Sequence, residues 1–180
     1  APTGYGVQCG GMAYRWLKYY DVRCLANWGL EGRALGLNGL QIYPKLMGDE
    51  HATLTAQLIN TYWKYDVLVT LFDIWPGMFT QPQLVHHHWI PIVPVDHNPI
   101  NEATLNNAMQ AYKVVAMSKF GHEQFRRAGL ESILIPHGID VNIFKPSENK
   151  REDRKWLNEH SIPIDSRINV EMSEDDFVIG

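Results

Sequence analysis

The residues best equipped for chemistry sit in short polar runs, each of which follows an apolar run. Asp96-His97-Asn98-Pro99 comes directly after Trp89–Val95. A histidine there can donate hydrogen bonds to sugar hydroxyls or phosphate, or act as a base. Asp96 can orient it, although neighbours on a strand point to opposite faces. The same tetrapeptide also reads as a turn that caps the next helix. Asp73-Ile74-Trp75-Pro76-Gly77 follows Val67–Phe72, and Asp73 either caps a helix or lines a cleft. Ser118-Lys119-Phe120 and Pro136-His137-Gly138-Ile139-Asp140 stand in the same relation to the runs ending at Met117 and Ile135.

The opening Pro2-Thr3-Gly4-Tyr5-Gly6 differs from these in being glycine-rich. Gly4 and Gly6 allow a tight turn and close approach of backbone to a ligand. A helix starting here aims free N–H groups and its dipole at an anion such as a phosphate, worth about 0.3–1 kcal/mol. A plain strand-to-helix turn has the same composition. The run is neither a dinucleotide fingerprint nor a P-loop. His86-His87-His88 suggests a metal, but three adjacent residues cannot all face one ion on a strand or helix. It reads as a polar turn, and no metal site is expected. Cys9 and Cys24 read as small core residues without a base partner. Trp16, Trp63 and Trp89 fit core or face-covering positions.

These runs need a frame to hold them. The apolar runs Val22–Trp28, Leu40–Tyr43, Val67–Phe72, Trp89–Val95, Val114–Met117 and Ile133–Ile135 read as strands. Several are continuous rather than alternating, which suits a parallel sheet covered on both faces. Helical patterns lie between them, at about Val7–Lys18, Ala52–Lys64, Asn101–Ala111 and Gly121–Ala128. Strand alternating with helix predicts an open α/β sheet, with a strand expected ahead of the opening loop. Ligands bind beyond the carboxyl ends of such strands, where the polar runs sit.

The whole chain has 180 residues, a net charge of −4 and 45% hydrophobic residues. These values exclude a disordered chain and a disulfide scaffold. The negative charge gives no support for nucleic-acid binding. No run approaches the roughly 18–20 apolar residues of a membrane span, and two cysteines suit a reduced, cytoplasmic setting. Residues 1–146 are sparsely charged and read as one packed domain. Residues 147–173 are densely charged and read as a connector with a helix at about Lys150–Glu159. Both ends look cut, as in a fragment of a longer protein.

The segment Pro136-His137-Gly138-Ile139-Asp140-Val141-Asn142-Ile143-Phe144-Lys145-Pro146 resembles the one closing the N-terminal domain of family 4 glycosyltransferases. Its pattern is Pro, Asn or His, Gly, an aliphatic, Asp, three variable residues, Phe, one residue, Pro, and every position is filled. The resemblance continues in order along the chain. Pro2–Gly6 is similar to the family's glycine-rich loop, Asp96–Pro99 to its histidine-bearing cleft loop, and Ser118-Lys119-Phe120 to its Ser-x-Phe. Glu174–Gly180 is similar to the lead-in to the first strand of a second domain.

The resemblance implies a Rossmann-like, mainly parallel sheet with helices on both faces. This would be the N-terminal, acceptor-side half of a two-domain GT-B enzyme, with 174–180 beginning a truncated donor-binding domain. It implies transfer of a sugar from a nucleotide-diphosphate sugar, with retention and without a cofactor, to a sugar, lipid or protein acceptor. Gly4 and Gly6 would approach the donor diphosphate, and His97 would contact the transferred sugar as the catalytic residue. Tyr5, Asp73, Asp96, Ser118, Lys119, His137, Gly138 and Asp140 would line the substrate cleft. The donor's basic pair and a Glu-x7-Glu motif would lie in the second domain, so the fragment alone should not turn over. Membrane association at a lipid-linked acceptor is left open, since helix Val7–Lys18 offers only Arg15 and Lys18. Two other readings remain: a non-catalytic Rossmann-like module that binds a sugar or nucleotide, and an epimerase or phosphorylase of the same two-domain architecture.

Overall fold

The computed structural model describes residues 3–30, 32–49, 52–75, 88–142 and 144–160. They divide into two compact units, Ala1–Gly138 and Ile139–Gly180. The division falls inside the closing segment, not after Pro146 as the charge shift suggests. Apolar packing ends with the last strand, whereas charge density rises only later.

The first unit begins with helix α1 (Gly4–Trp16). Strand β1 (Arg23–Ala26), strand β2 (Leu35–Leu37) and strand β3 (Leu40–Pro44) follow, then helix α2 (Thr53–Trp63) and strand β4 (Val67–Leu71). Strand β5 (His88–Val93), helix α3 (Glu102–Ala108), strand β6 (Val115–Ala116), helix α4 (Lys119–Arg127) and strand β7 (Ile133–Leu134) complete it. The six strands expected between Val22 and Ile135 all form. β2 is additional. It is exposed throughout and pairs antiparallel with β3 across a turn at Asn38-Gly39, both with positive φ.

The strands pair in two sheets rather than one. The smaller has the order β1-β3-β2 with β1 and β3 parallel. The larger has the order β4-β5-β6-β7 and is parallel throughout. Helices cover both of its faces, so the unit is an open, Rossmann-like α/β fold. The period of two along each strand sorts the core into two clusters. Trp89, Val93, Val114 and Ala116 point to one face and meet Phe125 of α4 and Ala108 of α3. Leu71, Ile92 and Val115 point to the other and meet Cys9 and Met12 of α1. The buried Trp89 indole is satisfied by donating to Thr70 Oγ1 at 3.0 Å.

Helix α4 shows how sequence sets orientation. Phe125 is fully buried and Ala128 packs beside it, while Arg126 and Arg127 face solvent. Gln124, polar by type, is buried at 3% exposure. Glu123 binds Arg126 and Arg127 at 2.7 and 2.9 Å. Those hydrogen bonds hold its carboxyl down at about 2, against an ordinary 4.5. A depressed acid contributes stability above its unfolded pKa and loses it as pH falls through the folded one. Urea midpoints should therefore fall between pH 4.5 and pH 2 more in the native chain than in Glu123→Gln. Parallel curves for the two proteins would refute this.

In the second unit, helix α5 (Lys150–His160) has no buried residue. Trp156 stacks on His160 with ring centroids 4.6 Å apart. Asp140 also belongs to this unit, where its Oδ1 accepts the Asn142 N–H at 3.0 Å. The strand expected at 174–180 lies outside the described residues.

Candidate functional site

The site is built where α1 begins and where β4, β5, β6 and β7 end. Helix α1 starts at Gly4, three residues before the position its apolar pattern suggests. Thr3 is the reason: its backbone is extended, its Oγ1 accepts the Gly6 N–H at 3.1 Å, and its carbonyl accepts the Val7 N–H. Such a side-chain cap is worth about 1 kcal/mol. Gly4 and Gly6 thus lie inside the first helical turn rather than in a loop before it. The Gly6 amide is already engaged by Thr3. The Gly4 position opens onto free space, so a side chain there would meet nothing within 4 Å.

Tyr5, between them, reaches across to β4. Its hydroxyl donates to Asp73 Oδ2 at 3.3 Å. Partial burial raises the phenol pKa first, and the carboxylates of Asp73 and Asp96 raise it further. The hydroxyl therefore stays protonated and acts as a donor. The residue after Asp73, Ile74, is buried, and its carbonyl accepts from the buried Asn107 side chain of α3. That bond pins the strand end that carries Asp73. Nothing in the sequence marks Asn107 for this role.

Asp96 and His97 follow β5 on an exposed loop that includes a cis Asn98–Pro99 bond. His97 Nδ1 contacts Asp96 Oδ1, leaving Nε2 as the outward nitrogen of a ring that is 58% exposed. The loop frees the two residues from strand alternation, so neighbours in sequence can touch. Val95, just before them, is held by α4. A Cβ added at Gly121 would come within 3.2 Å of Val95 and 3.3 Å of Ser118 Oγ, so glycine lets α4 sit this close without either side chain giving way. Ser118 caps α4 by accepting the Gly121 N–H at 3.0 Å. Lys119 opens that helix, is exposed, and has no hydrogen bond or ion pair among the described residues.

After β7, Gly138 accepts from Gln8 Nε2 of α1 at 3.2 Å. His137 Nε2 lies 3.0 Å from Met117 Sδ, at the end of β6. The structure thus pairs Tyr5 with Asp73 and Asp96 with His97, and ties His137 and Gly138 to the same end of the sheet. Gln8 and Met117 are positioning contacts that residue type alone does not reveal.

Cys9 and Cys24 are both unpaired and half-buried. Burial pushes the Cys9 thiol up to about 11, with Cys24 adding to the rise. Such a thiol is a poor nucleophile at neutral pH. His86 and His87 lie outside the described residues. His88 starts β5 and packs its ring 4.5 Å from Tyr112. Among the described residues no group of three His, Cys, Asp or Glu is placed to hold a metal, and no helix is long and apolar enough to cross a membrane. A cavity of about 170 Å³ lies between Tyr112, Lys113 and Glu131, at the opposite end of β6 and β7 from these pairs. No family model, curated protein or solved structure matches the chain.

Proposed function

We propose that the chain is the acceptor-side domain of a retaining glycosyltransferase that uses a nucleotide-diphosphate sugar. The observation that carries this reading is the placement of two pairs, Tyr5–Asp73 and Asp96–His97, at the carboxyl ends of the adjacent parallel strands β4 and β5. Two carboxylates, a protonated phenol and an imidazole offer acceptors and donors at one end of the sheet, which suits a ligand dense in hydroxyls.

Magnitudes decide which part of the donor goes there. A helix N-terminus favours an anion by about 0.3–1 kcal/mol. A carboxylate some 6 Å from a phosphate charge repels it by about 3 kcal/mol at an effective dielectric near 20. The sugar therefore sits toward Asp73 and His97, and the diphosphate on the open Gly4 side of α1. In the reaction the bond from the sugar's anomeric carbon to the diphosphate oxygen breaks. A bond from that carbon to the acceptor oxygen forms, and the acceptor's hydroxyl proton passes to the departing diphosphate. His97 holds a sugar hydroxyl during the transfer. The basic groups that receive the leaving diphosphate come from a second domain. The unpaired thiols fit a cytoplasmic location.

The test is nucleoside-diphosphate release from a panel of nucleotide sugars by the two-domain protein, with chelator present. Acceptor-dependent release that resists chelator is the expected result. Binding without turnover would replace the enzyme by a binding module. Conversion of one nucleotide sugar into another, with no acceptor and no net nucleoside-diphosphate release, would indicate an epimerase. Loss with chelator that is restored by a divalent ion would bring in a metal.

A further inference from the structure

Soft donor atoms gather around one small apolar cluster of the larger sheet. Leu71, Ile92 and Val115 form that cluster. Cys9 and Met12 of α1 pack against it, and so does Met117, directly after β6. Cys9 and Met12 stand three residues apart, on one face of the helix. A nitrogen donor adjoins them, since His137 Nε2 lies 3.0 Å from Met117 Sδ. Gln8 donates to the Gly138 carbonyl at 3.2 Å, which ties α1 to the chain after β7 one residue from Cys9 and one from His137.

The contact between His137 and Met117 gains little as a hydrogen bond. A thioether is only a weak acceptor, and the exposed imidazole has water as a stronger partner. The same distance suits two ligands of one ion. Metal–nitrogen and metal–sulfur bonds of about 2.0 and 2.3 Å hold the two atoms roughly 3.0–3.7 Å apart at ligand angles of about 90–120°.

The donors also select the ion. Calcium and magnesium take oxygen ligands, and these donors are nitrogen and sulfur. Zinc takes imidazole and thiolate, whereas thioether sulfur is a ligand for Cu(I). Cu(I) is singly charged. When it bonds the Cys9 sulfur, the thiol proton leaves to solvent, and ion and thiolate cancel. A half-buried site then takes up no net charge.

We infer that Cys9 Sγ, Met117 Sδ and His137 Nε2 form a three-coordinate site for Cu(I), with Met12 as a further sulfur on the same helix face. The bound ion fastens the chain at His137 and Gly138 to α1 and to the end of β6. The inference does not depend on the sugar-transfer reading, whose test turns on a divalent ion.

The experiment titrates the 180-residue chain, without oxygen and with ascorbate, against the coloured Cu(I)–bicinchoninate complex. The expected result is transfer of one equivalent of Cu(I) to the protein, undisturbed by an equal concentration of Zn2+. Met117→Leu and His137→Gln should each weaken binding at least 10-fold, the scale found even for outer partners of a metal ligand. Cys9→Ser should weaken it as well. Met47→Leu, at a fully exposed methionine, should change nothing. In the unaltered chain, Ag(I) as an air-stable substitute should shift the NMR signals of the Met117 methyl and the His137 ring but not of the Met47 methyl, a reading that no variant's folding can disturb. No transfer, displacement by zinc, or equal affinity in Met117→Leu and Met47→Leu would overturn the inference. Loss in Cys24→Ser with retention in Met117→Leu would overturn it too, by assigning the ion to the two thiols.

Discussion

Phe125→Ala is expected to lower the unfolding free energy by about 3–5 kcal/mol, the range for emptying a phenylalanine site in a close-packed core. Phe125 has no exposed surface, and it touches the cluster formed by Ile74, Trp89, Val93 and Ala116. Domains are stable by only about 5–15 kcal/mol, so the change removes a large share of the total. It should move the urea midpoint without altering the slope. A loss under about 1 kcal/mol would mean that α4 does not seal this face of the sheet. Phe125→Leu, which keeps most of the volume, should recover much of the difference.

His97→Ala gives the largest expected effect on function and almost none on folding. Its ring is 58% exposed and its contact is with the still more exposed Asp96, so truncation leaves no cavity. In the two-domain protein, losing a hydrogen bond of about 0.5–1.5 kcal/mol to a sugar hydroxyl should lower kcat/KM by roughly 2- to 13-fold. Asp96→Asn should cost less, because it removes the orienting carboxylate but keeps the imidazole. Near-normal turnover in His97→Ala, with an unchanged urea midpoint, would remove His97 from the site.

The frame is legible in the sequence because parallel strands buried on both faces must be continuously apolar. Trp89–Val93 of β5 shows this, and the polar residues that follow the strands fall at strand ends by the same logic. β2 escapes notice for the opposite reason. It is three residues long, carries a central glycine and buries nothing. The start of α1 is hidden by Gly4 and Gly6, whose low helix propensity masks the Thr3 cap. Asp73 and Asp96 can be found as candidates from strand ends alone. The Tyr5–Asp73 bond spans 68 residues of sequence, and no local pattern encodes a partner at that distance. Asn107 is equally opaque, since an asparagine inside a helix reads as surface until its carbonyl partner is seen.

Gly121 has a consequence for how this chain can vary over generations. Any side chain at that position would press on Val95, the residue leading into Asp96 and His97. A substitution there requires Val95 or α4 to give by a few tenths of an ångström, so change at Gly121 is coupled to the lead-in of the Asp96-His97 loop. Lys119 and Phe120, beside it on the same helix, are exposed and can change with less disturbance to that lead-in.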